Sequence, residues 1–181
     1  MNFIILKKNY EDEMLIIDFL KSLLGSSIKI DSSNEFLIVH HNYNDFEDIK
    51  RSINALAVDL SFNPYAYIAI NPKNDIKEID IVLKLLAKLK SGIYDLKSAL
   101  TISNSIDNKK EIFEYIVSNT GLDEDFIKAF GECDLNISKA SKVMFIHRNT
   151  LIYKLDKFYQ DTGFDLRKFK DMYILYELVI K

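Results

Sequence analysis

Glycine is scarce in this chain, with five in 181 residues. A phosphate-cradling loop needs backbone that passes through positive φ and approaches its ligand without a Cβ. No such loop, no serine elbow and no Cys/His metal-ligand spacing occurs. No catalytic, cofactor-binding or metal-binding residues are therefore expected, and the chain does not read as an enzyme. Cysteine is scarcer still. The one present, Cys133, has no intrachain disulfide partner; that places the chain in the cytoplasm and makes Cys133 a small hydrophobe at a helix end. Long apolar runs are missing too. MNFIILKKNY is too short a core for a signal peptide, and no later run approaches the ~20 residues of a membrane span. What remains is a soluble globular chain, 48% apolar with net charge −3, long enough for one large domain or two small ones.

Hydrophobic periodicity sets out the first half. NFIILKK at 2–8 reads as a strand. Asn9 and Asp12 resemble a capping pair for a helix over Met14, Leu15, Ile17, Phe19, Leu20, Leu23 and Leu24, with Glu11 to Glu13 favourable in its first turn and Gly25 as its stop. A hairpin comes next, SIKID and EFLIVHH, with its turn at Ser32 to Asn34. Asn44 and Glu47 form a capping box for a helix through about Leu60 that buries Phe46, Ile49, Ile53, Leu56 and Ala57. Beyond Pro64, YAYIAI reads as a strand, and Asn74 or Asp75 opens a helix over Ile76, Ile79, Val82, Leu83, Leu86 and Leu89. The order βαββαβα makes residues 1–95 a small ferredoxin-like α+β domain, with its helices expected on one face of an antiparallel sheet. SGIYDLKSALTISNSIDN at 91–108 lacks clean periodicity and holds a Ser/Asn-rich cluster, so the junction is placed at 96–108.

Residues 109–181 read as all-α. A helix from about Lys109 to Ser118 shows Ile112, Phe113, Ile116 and Val117, and Gly121 ends that unit. Asp123 caps LDEDFIKAFGEC, whose Phe126, Ala129 and Phe130 are expected to roof the helix pair after it. At about 136–161 come a short helix, a tight turn and a longer helix. Asn136 is the first N-cap; Ile137, Ala140 and Met144 recur at helical spacing, with small Ala140 where a second helix can cross. The next helix begins near His147 and ends at Gly163. Advancing about 100° per residue from Arg148 gathers Leu151, Ile152, Leu155, Phe158 and Tyr159 on a core side. Asn149, Thr150, Tyr153 and Lys157 point the opposite way, with Lys154 on the flank. Lys139, Lys142, Arg148, Lys154 and Lys157 face a single acid, Asp156, between 136 and 160. Such a concentration of positive charge in an acidic chain marks a nucleic-acid-binding element, and such a helix can enter the major groove. Asp165 is expected to cap a last helix whose Phe169, Met172, Tyr173, Leu175, Tyr176 and Val179 form a stripe wider than one small core demands. Part of it either closes the bundle or makes a dimer contact.

MFIHRNTLIYKL at 144–155, followed by TGFDL at 162–166, resembles the C-terminal helix-turn-helix of the purine-catabolism and sugar-diacid regulators, the PucR/CdaR type. That family usually carries Arg where this chain has Lys154, which keeps the charge without the bidentate fork. The resemblance implies a bacterial transcription regulator that binds double-stranded DNA as a homodimer, its recognition helix starting near His147. The DNA-binding residues expected are His147, Arg148, Asn149, Thr150, Tyr153, Lys154 and Lys157. Many members carry a further N-terminal sensory domain, which this chain reads as lacking, so a small-molecule effector stays unnamed.

A second resemblance lies in the hairpin. SSNEF at 32–36 occupies the place where a diguanylate-cyclase-like domain carries its GGDEF turn, and CdaR-type regulators often contain a degenerate domain of that kind. Only Glu35 and Phe36 coincide. Ser32 and Ser33 stand for the glycines and Asn34 for a carboxylate, and the first strand offers Ile with Lys7 and Lys8 instead of metal-binding aspartates. Without those carboxylates a phosphate has no charge neutralisation for in-line attack. Residues 1–95 are thus expected to be a scaffold for dimerisation or sensing. His40 and His41 are strand neighbours that leave on opposite faces and cannot chelate one ion together. Asp45 and Glu47 belong to a helix start, and His147 reads as a capping or phosphate-contacting group. The rival reading is a ligand-responsive or partner-binding module that uses its helical domain for protein contacts.

Overall fold

The computed structural model describes residues 1–8, 13–103 and 106–180. Two compact units divide the chain, Met1–Ser103 and Asn104–Lys181. The first is built from β1 (Asn2–Lys7), α1 (Glu13–Leu24), β2 (Lys29–Ser32), β3 (Phe36–His41), α2 (Phe46–Asp59), β4 (Tyr65–Ala69), α3 (Asp75–Leu86), β5 (Gly92–Tyr94) and α4 (Leu96–Ile102). The strands lie in the order β2-β3-β1-β4-β5, antiparallel except for the parallel β4–β5 pair. Ile4 in β1 stands opposite Val39 of β3 and Ile68 of β4.

Side chains alternate across a strand. Ile4, Leu6, Leu37, Val39, Ala66 and Ile68 therefore share one face, where they pack with Ile16 and Leu20 of α1 and Ile49 and Ile53 of α2. Phe3, Ile5, Tyr65 and Tyr67 share the other, and α3 lies there. The Tyr67 hydroxyl donates to the Glu78 carboxylate at 2.6 Å, and that of Tyr65 meets the carbonyls of Leu86 and Leu89. The expectation of helices on a single face is corrected. FIIL and YAYIAI are unbroken apolar runs because both faces of these central strands are covered.

The stretch 91–108, read as lacking clean periodicity, holds regular structure before the units divide after Ser103. Gly92–Tyr94 adds a parallel edge strand, and α4 begins with a capping box in which Ser98 N donates to Asp95 at 2.7 Å and Asp95 N donates to the Ser98 hydroxyl at 2.9 Å. The first unit therefore runs beyond residue 95. A Cβ at Gly92 would meet the Tyr94 hydroxyl at 2.7 Å, so a side chain there would require the Tyr94 ring to shift. Two further details differ from expectation. The N-cap of α2 is Asp45, which accepts from Asp48 N at 2.9 Å, while the neighbouring Asn44 accepts a bond from Asn2. The hairpin turn spans 33–35, closed by Ser33, whose hydroxyl accepts from Phe36 N at 3.0 Å. The capping pair Asn9 and Asp12 and the residues Glu11, Asn104 and Ser105 lie outside the described residues.

Both strand-end histidines are buried. His40 Nε2 lies 3.3 Å from the Asp31 carboxylate. His41 is 3% exposed, and burial holds its pKa down to about 4; the His40 charge adds to that effect and the Tyr43 backbone opposes it.

The second unit comprises α5 (Lys109–Val117), α6 (Glu124–Glu132), α7 (Ile137–Val143), α8 (Arg148–Thr162) and α9 (Phe169–Val179). Helix α9 packs on α5 and α6, and α7 packs on α6 and α8. Ile112, Ile116, Ile127, Phe130, Phe158 and Leu175 fill the core between them. At Gly131 the helices approach so closely that a Cβ would stand 3.0 Å from the Tyr176 ring and 3.1 Å from Met172. Cys133 is a buried C-cap at the end of α6. Among the described residues no helix is long and apolar enough to cross a membrane, and no group of three metal-ligating side chains comes together.

Candidate nucleic-acid interface

Each end of the helix pair α7–α8 has an identifiable cause. Asn136 sits in extended backbone and its side chain accepts from Lys139 N at 3.0 Å, which satisfies an orphan donor of the first turn and starts α7. Ala140 is fully buried, leaving room for α8 to cross. Beyond the C-cap Met144 the chain reverses through Phe145 at φ 53. Ile146 N donates to Ser141 O at 3.0 Å and Phe145 N to Lys142 O at 3.3 Å, the paired bonds of a Schellman motif, with Phe at the position glycine usually holds. His147 then caps α8, its Nδ1 accepting from Asn149 N at 3.2 Å. At the far end of α8, Gly163 stops the helix at φ 75.

The two sides of α8 differ as the apolar spacing requires. Leu151, Leu155 and Phe158 are wholly buried, whereas His147, Arg148, Asn149, Thr150, Tyr153 and Lys157 are exposed and Lys154 is half-covered on the flank. Tyr159 departs from its expected place in the core, being 46% exposed. On the helical wheel it lies about 70° from the mean direction of Leu151, Leu155 and Phe158, at the rim of the core. The turn after α8 is tied back to it. Thr162 donates to Phe158 O at 2.7 Å and accepts from Phe164 N at 3.1 Å, with Phe164 and Leu166 buried.

Asp165 does not cap the last helix. Its carboxylate accepts from Arg167 Nε at 2.7 Å, and Arg167 also reaches Asp156 at 2.6 Å, so α9 begins only after Lys168. Burial pushes the Asp165 carboxyl up, but the bonds and charge of Arg167 outweigh it and leave the carboxyl below its usual range. This arrangement matters for the charge of the neighbouring face. Asp156, the one acid between 136 and 160, is engaged by Arg167, and Lys139 is engaged by Asp134 at 2.8 Å. Among the described residues Lys142, Arg148, Lys154 and Lys157 make no ion pair, so four cations stay open to solvent around the exposed row.

Residues 125–177 match the family model of the PucR C-terminal helix-turn-helix domain. This segment is similar to PucR-type helix-turn-helix domains. Over 60 residues the chain is 38% identical to the carbohydrate diacid regulator of Escherichia coli (strain K12), and over 55 residues 33% identical to the uncharacterized protein YxkF of Bacillus subtilis (strain 168). These alignments take in 33% and 30% of this chain but only 16% and 18% of the two relatives, so the likeness is confined to a part of each. The crystal structure of the regulator of polyketide synthase expression from Bifidobacterium adolescentis superposes with a TM-score of 0.51 at 14% identity, covering 99% of this chain and 78% of that one. At that identity the likeness is one of fold, an α+β unit followed by a helical one.

Within this segment, sequence reasoning missed two features. One is the Asp156–Arg167–Asp165 cluster, where opposite charges flank the TGFDL turn. The other is Phe145, whose signal was an aromatic residue standing where a helix terminator is usually glycine.

Proposed function

We propose that this chain is a sequence-specific DNA-binding transcription regulator of the PucR/CdaR type, with α8 as its recognition helix. The observation that carries the reading is the exposed row His147, Arg148, Asn149, Thr150, Tyr153 and Lys157 on a helix anchored by Leu151, Leu155 and Phe158. Asn149, at the first exposed turn, pairs its carboxamide with adenine N6 and N7, and Arg148 reaches guanine or a phosphate at the helix N-terminus. Lys154 and Lys157 contact backbone phosphates, Thr150 and Tyr153 give methyl or hydroxyl contacts, and His147 holds the helix start beside a phosphate. The name of the carbohydrate diacid regulator supports the reading, as does the resemblance that runs through MFIHRNTLIYKL.

One such helix makes too few base contacts for tight binding, so we read the working form as a homodimer with half-sites about 34 to 36 Å apart or a multiple of that. Phe169 and Tyr173, stacked at 6.0 Å on α9 and 77% and 53% exposed, supply an apolar surface for a second copy. The first unit is read as a degenerate GGDEF-like scaffold for dimerisation or for sensing an unnamed small molecule, and the chain as non-catalytic and cytoplasmic. The hairpin at 33–35 comes after the first strand and helix as a GGDEF turn does, but Lys8 at its base bonds the Ser32 hydroxyl and lies 3.0 Å from Glu13. A cation there suits a retained scaffold better than a metal site.

The test is selection from a random duplex pool, followed by a salt titration of the enriched sequence. The expected outcome is one enriched motif whose affinity falls steeply with salt, because phosphate contacts release counterions. A folded protein that enriches nothing would leave protein contacts as the better account of the helical unit.

A further inference from the structure

Phe145 combines two unfavourable features with no structural return. It is 96% exposed, so its ring stabilises nothing by burial, and its backbone is left-handed at φ 53. Among the other described non-glycine residues with positive φ, Ser61, Asn71, Asn108, Asn119 and Asp134 are small polar types, and Leu135 is partly covered. Asn and Asp tolerate this region; a bulky residue there is an outlier that points to function. The Schellman bonds from Phe145 N and Ile146 N pin the turn, and α8 starts three residues later with Arg148 and Asn149. The apolar group that B-DNA presents in the major groove is the thymine C5-methyl, and the N-terminal residues of a recognition helix are those that approach base edges.

We propose that Phe145 reads a thymine, its ring lying against the C5-methyl at the mouth of the major groove when α8 enters. This rests on the DNA-binding reading above and adds a contact made from the turn instead of from the helix. It also explains why the turn keeps an aromatic residue where glycine would be conformationally easier.

The probe is a duplex carrying the motif that the parent chain enriches from a random pool, with each thymine in and beside the motif replaced singly by deoxyuridine. One replacement is expected to weaken the parent about fourfold, the scale of one buried methyl. Phe145→Ala is expected to bind the unmodified duplex weaker by a similar factor, to be indifferent to that replacement, and to keep the parent's dependence of affinity on salt, since no phosphate contact is lost. Phe145→Gly, which suits the left-handed backbone, repeats the measurement in a chain that folds at least as well. The proposal is overturned if both variants bind as the parent does and show the same thymine profile, or if they weaken binding with no thymine position singled out. A parent that enriches no motif would instead remove the DNA-binding reading on which the proposal rests.

Discussion

Replacing Phe145 by glycine separates what the turn does for the fold from what it does for binding. The left-handed region costs an L-residue about 1 to 2 kcal/mol relative to helical backbone, and Phe145 occupies it at φ 53. Glycine removes that strain but makes the unfolded chain more flexible, which offsets about 0.4 to 1 kcal/mol of the gain. Burial contributes almost nothing to this balance because the ring is 96% exposed. Both Schellman hydrogen bonds use backbone atoms and survive the change. The net expectation is a gain of about 0.5 to 1 kcal/mol, read as a higher urea midpoint with an unchanged slope. A loss of stability of about 1 kcal/mol or more at the same slope would refute the reasoning, since it would mean that the ring packs against something in the folded chain.

Other perturbations test the same geometry. Leu155→Ala, which empties a wholly buried position under α8, is expected to cost about 2 to 5 kcal/mol and to lose DNA binding only through unfolding; a well-folded variant that fails to bind would contradict this. The buried His41 has a folded pKa of about 4 against the ordinary histidine value of 6.5, so the fold keeps it neutral while the unfolded chain takes up a proton. That stability is present in full above about pH 6.5 and is lost as the pH falls toward 4, amounting to about 3 kcal/mol. His41→Gln is expected to flatten that part of the stability profile, and denaturant midpoints across this range that move in parallel for parent and variant would rule the account out. With GTP and magnesium the purified protein is expected to make no cyclic dinucleotide; turnover abolished by Glu35→Ala would overturn the reading of the hairpin.

Local signals were legible wherever one side chain or one dihedral decides the outcome. Asn74, Asp123 and Asn136 each accept a backbone bond three residues on, and Gly163 takes the left-handed conformation that ends α8. The same local reading failed where a distant partner decides. β5 is three residues long and owes its strand conformation to pairing with β4, a contact no short window reveals. Asp165 has the composition of an N-cap, but Arg167 and the adjoining turn take its carboxylate. The single-faced sheet was an error of a different kind: helices were expected on one face although FIIL carries no polar alternation, the mark of a strand covered on both sides. On α8 the exposed row could be read from spacing because three buried residues, Leu151, Leu155 and Phe158, fix the orientation of the helix. Tyr159, at the edge of that arc, could not.

The central claim is that α8 reads DNA, and it is tested most directly by comparing Asn149→Ala with Lys157→Ala on the enriched duplex and on single-base variants of it. Both residues are exposed, so both variants are expected to keep the parent's thermal unfolding. Asn149→Ala is expected to cost about 1 to 3 kcal/mol on the preferred sequence and to blur discrimination at one base position. Lys157→Ala is expected to weaken all duplexes alike and to make the salt dependence shallower by about one unit of slope. If both folded variants bind every duplex as the parent does, α8 is not the reading element.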